Sequence, residues 1–175
     1  MNSNVRTTSR PWSASVAEPD WETVYAEQLP RVYNYLRYRL GHEALAKDLT
    51  SRAFEKAWRH RQRYRRDLAE FATWLLTIAR NVAVDHFRTA RDHAPLEAAA
   101  DAPADGTPED EAVIESNFAR LALLTARLPA RERELLALKY GAGATNRAIA
   151  EITGLSESNV GTLLHRTVES LRSEW

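Results

Sequence analysis

ATNRAIAEITGLSESNVGTLLHRTVESLR, residues 144–172, is the stretch that decides the fold. Ile149 and Ala150 precede Gly154 by five and four residues, and Val160 and Leu163 follow it by six and nine. Two helices that cross tightly need a small residue at the crossing, a turn residue that tolerates a left-handed backbone, and aliphatic residues behind them. Ala150, Gly154, Val160 and Leu163 fill those places, and Ser156 stands where it caps the second helix. The pattern predicts a helix-turn-helix. Its second helix buries Val160, Leu163, Leu164, Val168 and Leu171, leaving Glu157, Ser158, Gly161, Thr162, His165 and Arg166 outward. A recognition helix offers its N-terminal half to base edges in the major groove. Ser158, Asn159 and Thr162 are therefore the expected base readers, and His165 and Arg166 the expected phosphate contacts. The competing reading is an ordinary helical hairpin with a polar face, since that face holds one arginine and one acid.

Upstream, FARLALLTARLP (118–129) reads as one helix, and Pro129 opens a second, ARERELLALKYG, ending at Gly141. Before them DHAPLEAAADAPADGTPEDEAVIES (92–116) carries Pro95, Pro103, Gly106 and Pro108 among scattered acids. Its apolar residues are mostly alanine, too little to build a core, so a linker without regular structure is expected through most of 93–110.

The N-terminal half is also helical. Asp20 caps WETVYAEQLPRVYNYLRYRLG, in which Trp21, Val24, Tyr25, Leu29, Val32, Tyr33, Leu36 and Leu40 recur at helical spacing and Pro30 is expected to kink or split the run. A second helix, near 42–60, is expected to bury Leu45, Leu49, Ala53, Phe54, Ala57 and Trp58. HRQRYRRD (60–67) then sets arginines around Tyr64. TWLLTIARNVAVDHFR (73–88) follows with two faces. Leu75, Ile78, Ala79 and Val82 make a buried stripe, which Trp74 joins, and Thr77, Asn81, Asp85 and Arg88 make a polar one beside Arg80 and Arg91. No segment alternates with period two. The fold class is all-α, with two small helical domains (20–91 and 117–175), a polar tail (1–19) and an acidic linker (92–116).

Composition narrows the function. The chain has no cysteine, which removes disulfides, thiolate metal sites and thiol redox sensing. Its five histidines show no ligand spacing, and no metal or cofactor is expected. There is no phosphate loop or nucleophile motif, so no catalytic residue is assigned and an enzyme is not expected. No apolar run approaches a membrane span and residues 1–20 lack a signal core, which makes a cytoplasmic protein the default. The net charge of zero hides segregation: residues 31–91 hold 14 Lys/Arg against 6 Asp/Glu, and residues 92–120 hold 1 against 8. A basic block, an acidic block and a near-neutral block suggest distinct jobs.

Three stretches resemble the extracytoplasmic-function group of bacterial RNA-polymerase sigma factors. AKDLTSRAFEKAWR (46–59) is similar to the family's region 2.2 and FATWLLTIARNVAVDHFR (71–88) to its regions 2.3 and 2.4. LPARERELLALKYGAGATNRAIAEITGLSESNVGTLLHRTVESLR (128–172) is similar to its region 4. The likeness covers roughly residues 20–172 in the family's order.

It implies a promoter-specificity subunit that binds core RNA polymerase. Region 2 would read and melt the minus-ten element, and region 4 would dock in the minus-thirty-five major groove. By the same resemblance Thr77, Arg80, Asn81, Asp85 and Arg88 face minus-ten DNA. The loop 61–67, with Arg63, Tyr64 and Arg65, lies where the family captures an unstacked base, which calls for cationic guidance and planar side chains; Tyr64 either stacks there or packs inward. Asp48, Ser51, Arg52 and Glu55 fall on the family's contact with the beta-prime coiled coil, and region 4 on its contact with the beta flap. Asp48 and Leu49 fit the pattern, whereas Ser51 replaces the usual glutamine and Lys47 and Arg52 replace acids. Anti-sigma partners are common in the family, and nothing in the sequence identifies one. The acidic linker reads equally as a mimic of RNA in polymerase channels or as a soluble tether. The rival reading is an autonomous helix-turn-helix regulator that never touches core polymerase and binds a palindrome as a dimer.

Overall fold

The structure, a computed structural model, describes residues 20–65, 69–93, 120–121 and 123–175, with the main chain alone for 90–93. The expectations for the tail, for the acidic linker and for the side chain of Arg91 lie outside these residues. No strand occurs among the described residues, and the fold is all-α.

Helix α1 (Trp21–Leu40) starts where the Asp20 carboxylate accepts the amide of Glu22, and it stops at Gly41, whose amide reaches back to the Arg37 carbonyl. Pro30 sits inside this helix without splitting it. α2 (Glu43–His60) begins at His42, whose ring accepts the Leu45 amide, and a 3-10 turn, Arg61–Arg63, closes it. α3 (Phe71–His93) completes an N-terminal bundle in which α1, α2 and α3 pack on one another. Its centre is Val32, Leu36, Ala46, Leu49, Ala53, Ala57, Leu75 and Ala79, all essentially excluded from water. A fully buried leucine or valine gives roughly 1.5–3 kcal/mol, so these residues hold the bundle together.

The C-terminal half begins with helical residues 120–121 and 123–126. Arg133 donates to the carbonyls of Thr125, Ala126 and Leu128 and so fastens the end of that segment to α4 (Ala130–Leu136). α4 runs into a wide π-helical turn, Ala137–Gly141, closed by the Ala142 amide on the Ala137 carbonyl. α5 (Asn146–Thr153) is capped by Thr145, and α6 (Glu157–Glu174) by Ser156, which accepts the Asn159 amide at 3.2 Å. Between them Gly154 adopts φ 75°, the left-handed turn that its place in the motif predicted. Ile149 and Val160 are fully buried at the crossing, with Leu164 beside them.

The two halves pack against each other. The π turn lies along α1, and α5 lies on α3. This buries Tyr35 and Arg39 of α1, neither of which belongs to the expected apolar stripe. Two expected core residues stand elsewhere: Trp58 is 49% exposed and Tyr25 is equally open. Trp58 lies at the last turn of α2, where it meets the edge of Trp21 and carries the Arg61 guanidinium over its ring. Helical spacing placed it on the core face, whereas it stands at the rim of the bundle, beside the first residue of α1.

Candidate nucleic-acid and polymerase interface

The two faces of α3 separate as its spacing predicts. Leu75, Leu76, Ala79, Val82 and Ala83 are buried, Ile78 and Trp74 are half-buried, and Asn81, Asp85 and Arg88 are exposed. Thr77 is half-buried and donates its hydroxyl to the Thr73 carbonyl at 2.8 Å, leaving its oxygen lone pairs to accept. Asp85 lies 3.4 Å from Arg88 and 3.8 Å from Lys56 of α2. Such exposed pairs are worth about 0–1 kcal/mol, so they exchange readily for a phosphate or a base edge. Arg80 differs. Its Nε stands 3.1 Å from Glu134 of α4, inside the seam between the halves.

The loop after α2 mixes cations with packed aromatics. Arg63 and Arg65 are exposed. Tyr64 is half-buried, its ring 5.2 Å from Phe71 and 5.3 Å from Trp74, and its hydroxyl donates to the Ala69 carbonyl at 3.2 Å. Of the two roles expected for Tyr64, the ring in this structure fills the packing one. Arg66 and Asp67 lie outside the described residues.

On α2, Asp48, Ser51, Arg52 and Glu55 are all exposed along one face. Asp48 pairs with Arg52 at 3.0 Å, and Glu55 pairs with Arg59 one turn further on. Ser51 donates to the Lys47 carbonyl at 3.2 Å. Arg52 and Glu55 also line an open groove whose other wall includes Asp85 and His86 of α3, so the polymerase set and the minus-ten set adjoin.

In the helix-turn-helix, Ser158, Asn159, Thr162, His165 and Arg166 are exposed on α6, while Val160, Leu164 and Thr167 face inward. Gly161, expected outward, is half-buried, because Asn146 of α5 lies 3.6 Å from where its Cβ would stand. The N-terminal half of α6 is thus free to enter a groove, held at its angle by α5.

Sequence reasoning missed Tyr35, Arg39 and Glu134. Their clustering links α1, α3 and α4 across more than fifty residues, which no periodicity records. Glu134 is buried and 3.9 Å from Arg39, while the Arg39 guanidinium also stacks over Phe87. Burial first and the Glu134 carboxylate second raise the Tyr35 phenol above its ordinary range, so it stays neutral.

The chain is similar to known proteins. Residues 24–93 match Sigma-70 region 2 and residues 118–171 match Sigma-70, region 4. The chain belongs to the sigma-70 family of RNA-polymerase sigma factors. Within that family it is a sigma factor of the extracytoplasmic-function group. It is 35% identical over 155 residues to the ECF RNA polymerase sigma factor BldN of Streptomyces coelicolor, covering 85% of this chain and 57% of that protein. It is 32% identical over 161 residues to RNA polymerase sigma factor CarQ of Myxococcus xanthus, covering 89% of each. The fold resembles that of the sigma factor RpoE solved with the anti-sigma factor NepR from Bartonella quintana. That likeness has a TM-score of 0.69 at 21% identity and covers 88% of this chain and 95% of the other.

Proposed function

We propose that the chain binds core RNA polymerase and directs it to promoters through two DNA-reading surfaces carried on separate halves. The observation that carries this is the pairing of an exposed polar face on α3 with an exposed recognition face on α6, each opposite its own buried stripe. Thr77, Arg80, Asn81, Asp85 and Arg88, with Arg63, Tyr64 and Arg65 of the loop, meet the minus-ten element and its unstacked strand. Ser158, Asn159 and Thr162 read the minus-thirty-five major groove, with His165 and Arg166 on phosphate. Asp48, Ser51, Arg52 and Glu55 dock on the beta-prime coiled coil, and the C-terminal half on the beta flap. The domains run 20–91 and 117–175, joined by the acidic segment 92–116. The chain performs no reaction of its own and works in the cytoplasm, where the polymerase is. The likeness to a sigma factor solved in complex with an anti-sigma factor supports an anti-sigma protein as a further partner. The autonomous regulator leaves the polar face of α3 without a role.

Run-off transcription with core polymerase over a genomic promoter library tests the proposal. Discrete start sites that appear only when the protein is added are expected. Transcription indistinguishable from core alone would overturn it.

A further inference from the structure

Trp58, expected in the core, stands 49% exposed on the last turn of α2, just before the loop assigned to strand capture. From Trp58 to Arg65 the chain reads WRHRQRYR, with an arginine at every second position from 59 to 65 and no acid. Arg59, Arg63 and Arg65 are exposed. The last acid of α2, Glu55, is tied to Arg59.

The exposed ring is also held in place. Trp21 meets it with 5.2 Å between ring centroids and passes the contact on to Phe71 at 5.6 Å. Phe71 in turn packs on Tyr64 at 5.2 Å. Over the indole, the Arg61 guanidinium sits 4.1 Å from the ring centroid, and its terminal nitrogen donates to the Trp58 carbonyl at 2.9 Å. A chain of aromatic contacts thus joins the exposed indole to the packed side of the loop. Tyr64, the aromatic residue of that loop, spends its ring on Phe71 and Trp74 and its hydroxyl on the Ala69 carbonyl. Among the described residues, Trp58 is the largely exposed aromatic ring closest to the loop in the chain.

We propose that Trp58 is a base-stacking platform: an unstacked base of the melted nontemplate strand lies on its exposed indole, beside the base captured by the loop. Single-strand binders combine cations that follow the phosphates with an aromatic face for the base, and such stacking tolerates any sequence. Trp58 supplies the face, and Arg59, Arg63 and Arg65 supply fixed positive charge for the strand's phosphates. Arg61 and Trp21 are positioning residues. They fix the indole before the strand arrives, so that little side-chain ordering opposes binding. That the strand is promoter DNA rests on the sigma-factor reading; that the ring is a platform rests on the geometry.

Two measurements separate those claims. The five tryptophans of the free protein are replaced by fluorotryptophan, and the Trp58 resonance is identified by its loss in Trp58→Phe. Single-stranded oligothymidylate is expected to shift that resonance more than the other four. Trp58→Leu, which keeps apolar bulk without a ring, is expected to bind the oligonucleotide about tenfold more weakly, and Trp58→Phe to stay close to the parent. In the holoenzyme, on a template with an unpaired minus-ten bubble, nontemplate bases are replaced one at a time by an abasic site. At one position beside the captured base the loss is expected to weaken binding about tenfold for the parent and hardly at all for Trp58→Leu. An unmoved Trp58 resonance, or unchanged oligonucleotide affinity in Trp58→Leu, overturns the platform. So does an abasic series felt equally by parent and variant at every position, provided that the parent directs run-off transcription with core. If the parent directs none, the sigma-factor reading fails, and the free-protein measurements alone decide whether the ring is a platform. Weaker association of Trp58→Leu with core itself, without DNA, would make the ring a protein contact and overturn the proposal. Should Trp58→Leu lose helical circular dichroism, the Trp58 resonance of the parent decides.

Discussion

Asn81 projects from α3 into solvent one residue before the buried Val82 and two after the buried Ala79. Asn81→Ala is therefore expected to weaken promoter opening, by roughly 1–3 kcal/mol of base discrimination, while stability shifts by no more than about 0.5 kcal/mol. Run-off rates beside thermal unfolding check both halves of that statement, and a variant that melts several degrees lower yet transcribes normally per folded molecule would make Asn81 structural. Ser156 behaves oppositely. It caps α6 by accepting the Asn159 amide, so Ser156→Ala should cost about 1 kcal/mol in urea unfolding, and Ser156→Asp should retain most of that. Both residues were legible in the sequence, because exposure follows helical spacing and caps follow side-chain chemistry. Arg80 was only half legible. Its place on the polar stripe is a matter of spacing, but its partner stands 54 residues further along the chain.

At the scale of the element, α2 carries the test of polymerase docking. Asp48 is exposed and, among the described residues, pairs with Arg52 at i,i+4, so Asp48→Arg should lose about 0.3–0.5 kcal/mol of helix stability. Its expected effect on core association is far larger, a drop of at least tenfold in a co-migration or anisotropy titration. Unchanged affinity would move the docking surface elsewhere. The helices themselves were readable from caps and stripes, down to the Gly154 turn. The failures have physical causes. Trp58 has core spacing, but it stands at the bundle's rim, where it meets the edge of Trp21 and carries Arg61 over its ring. Pro30 sits within α1 without dividing it, because a proline removes only one backbone bond of the helix and buried residues follow it at Val32, Tyr35 and Leu36. Tyr35 lies off the stripe that faces α2 and α3, and only the second half of the molecule buries it.

The whole molecule is short of free cations where it should meet duplex DNA. Residues 121–175 carry 7 Lys/Arg and 6 Asp/Glu, and two of those cations are already paired, Arg147 with Glu151 and Arg172 with Glu169. Phosphate neutralisation supplies essentially all non-specific affinity. The purified protein should accordingly bind promoter duplex weakly, with a shallow slope of log K against log salt, and the holoenzyme should bind tightly because tethering raises the effective concentration of each half at its site. A salt series of filter-binding or anisotropy measurements, with and without core, decides this. Nanomolar sequence-specific binding by the protein alone would point to the autonomous regulator. The charge distribution was visible in the sequence, but the contact between the halves was not, since it joins residues about a hundred positions apart, among them Tyr35, Leu138 and Ala142, in one buried core.

The wide turn at Ala137–Gly141 sets the phase of everything after it. An α-helix advances about 100° per residue, and the extra residue carried in a π turn changes the azimuth at which the chain leaves α4. Leu135 and Leu138 are buried on either side of the start of the turn, and Gly141 and Ala142 arrive against α1. Excising one residue from the turn would restore ordinary helical pitch and swing Gly141 by roughly a quarter of a revolution. The two halves would then fold separately with mismatched profiles, so the mutual orientation of two domains is encoded in the bore of a single helical turn.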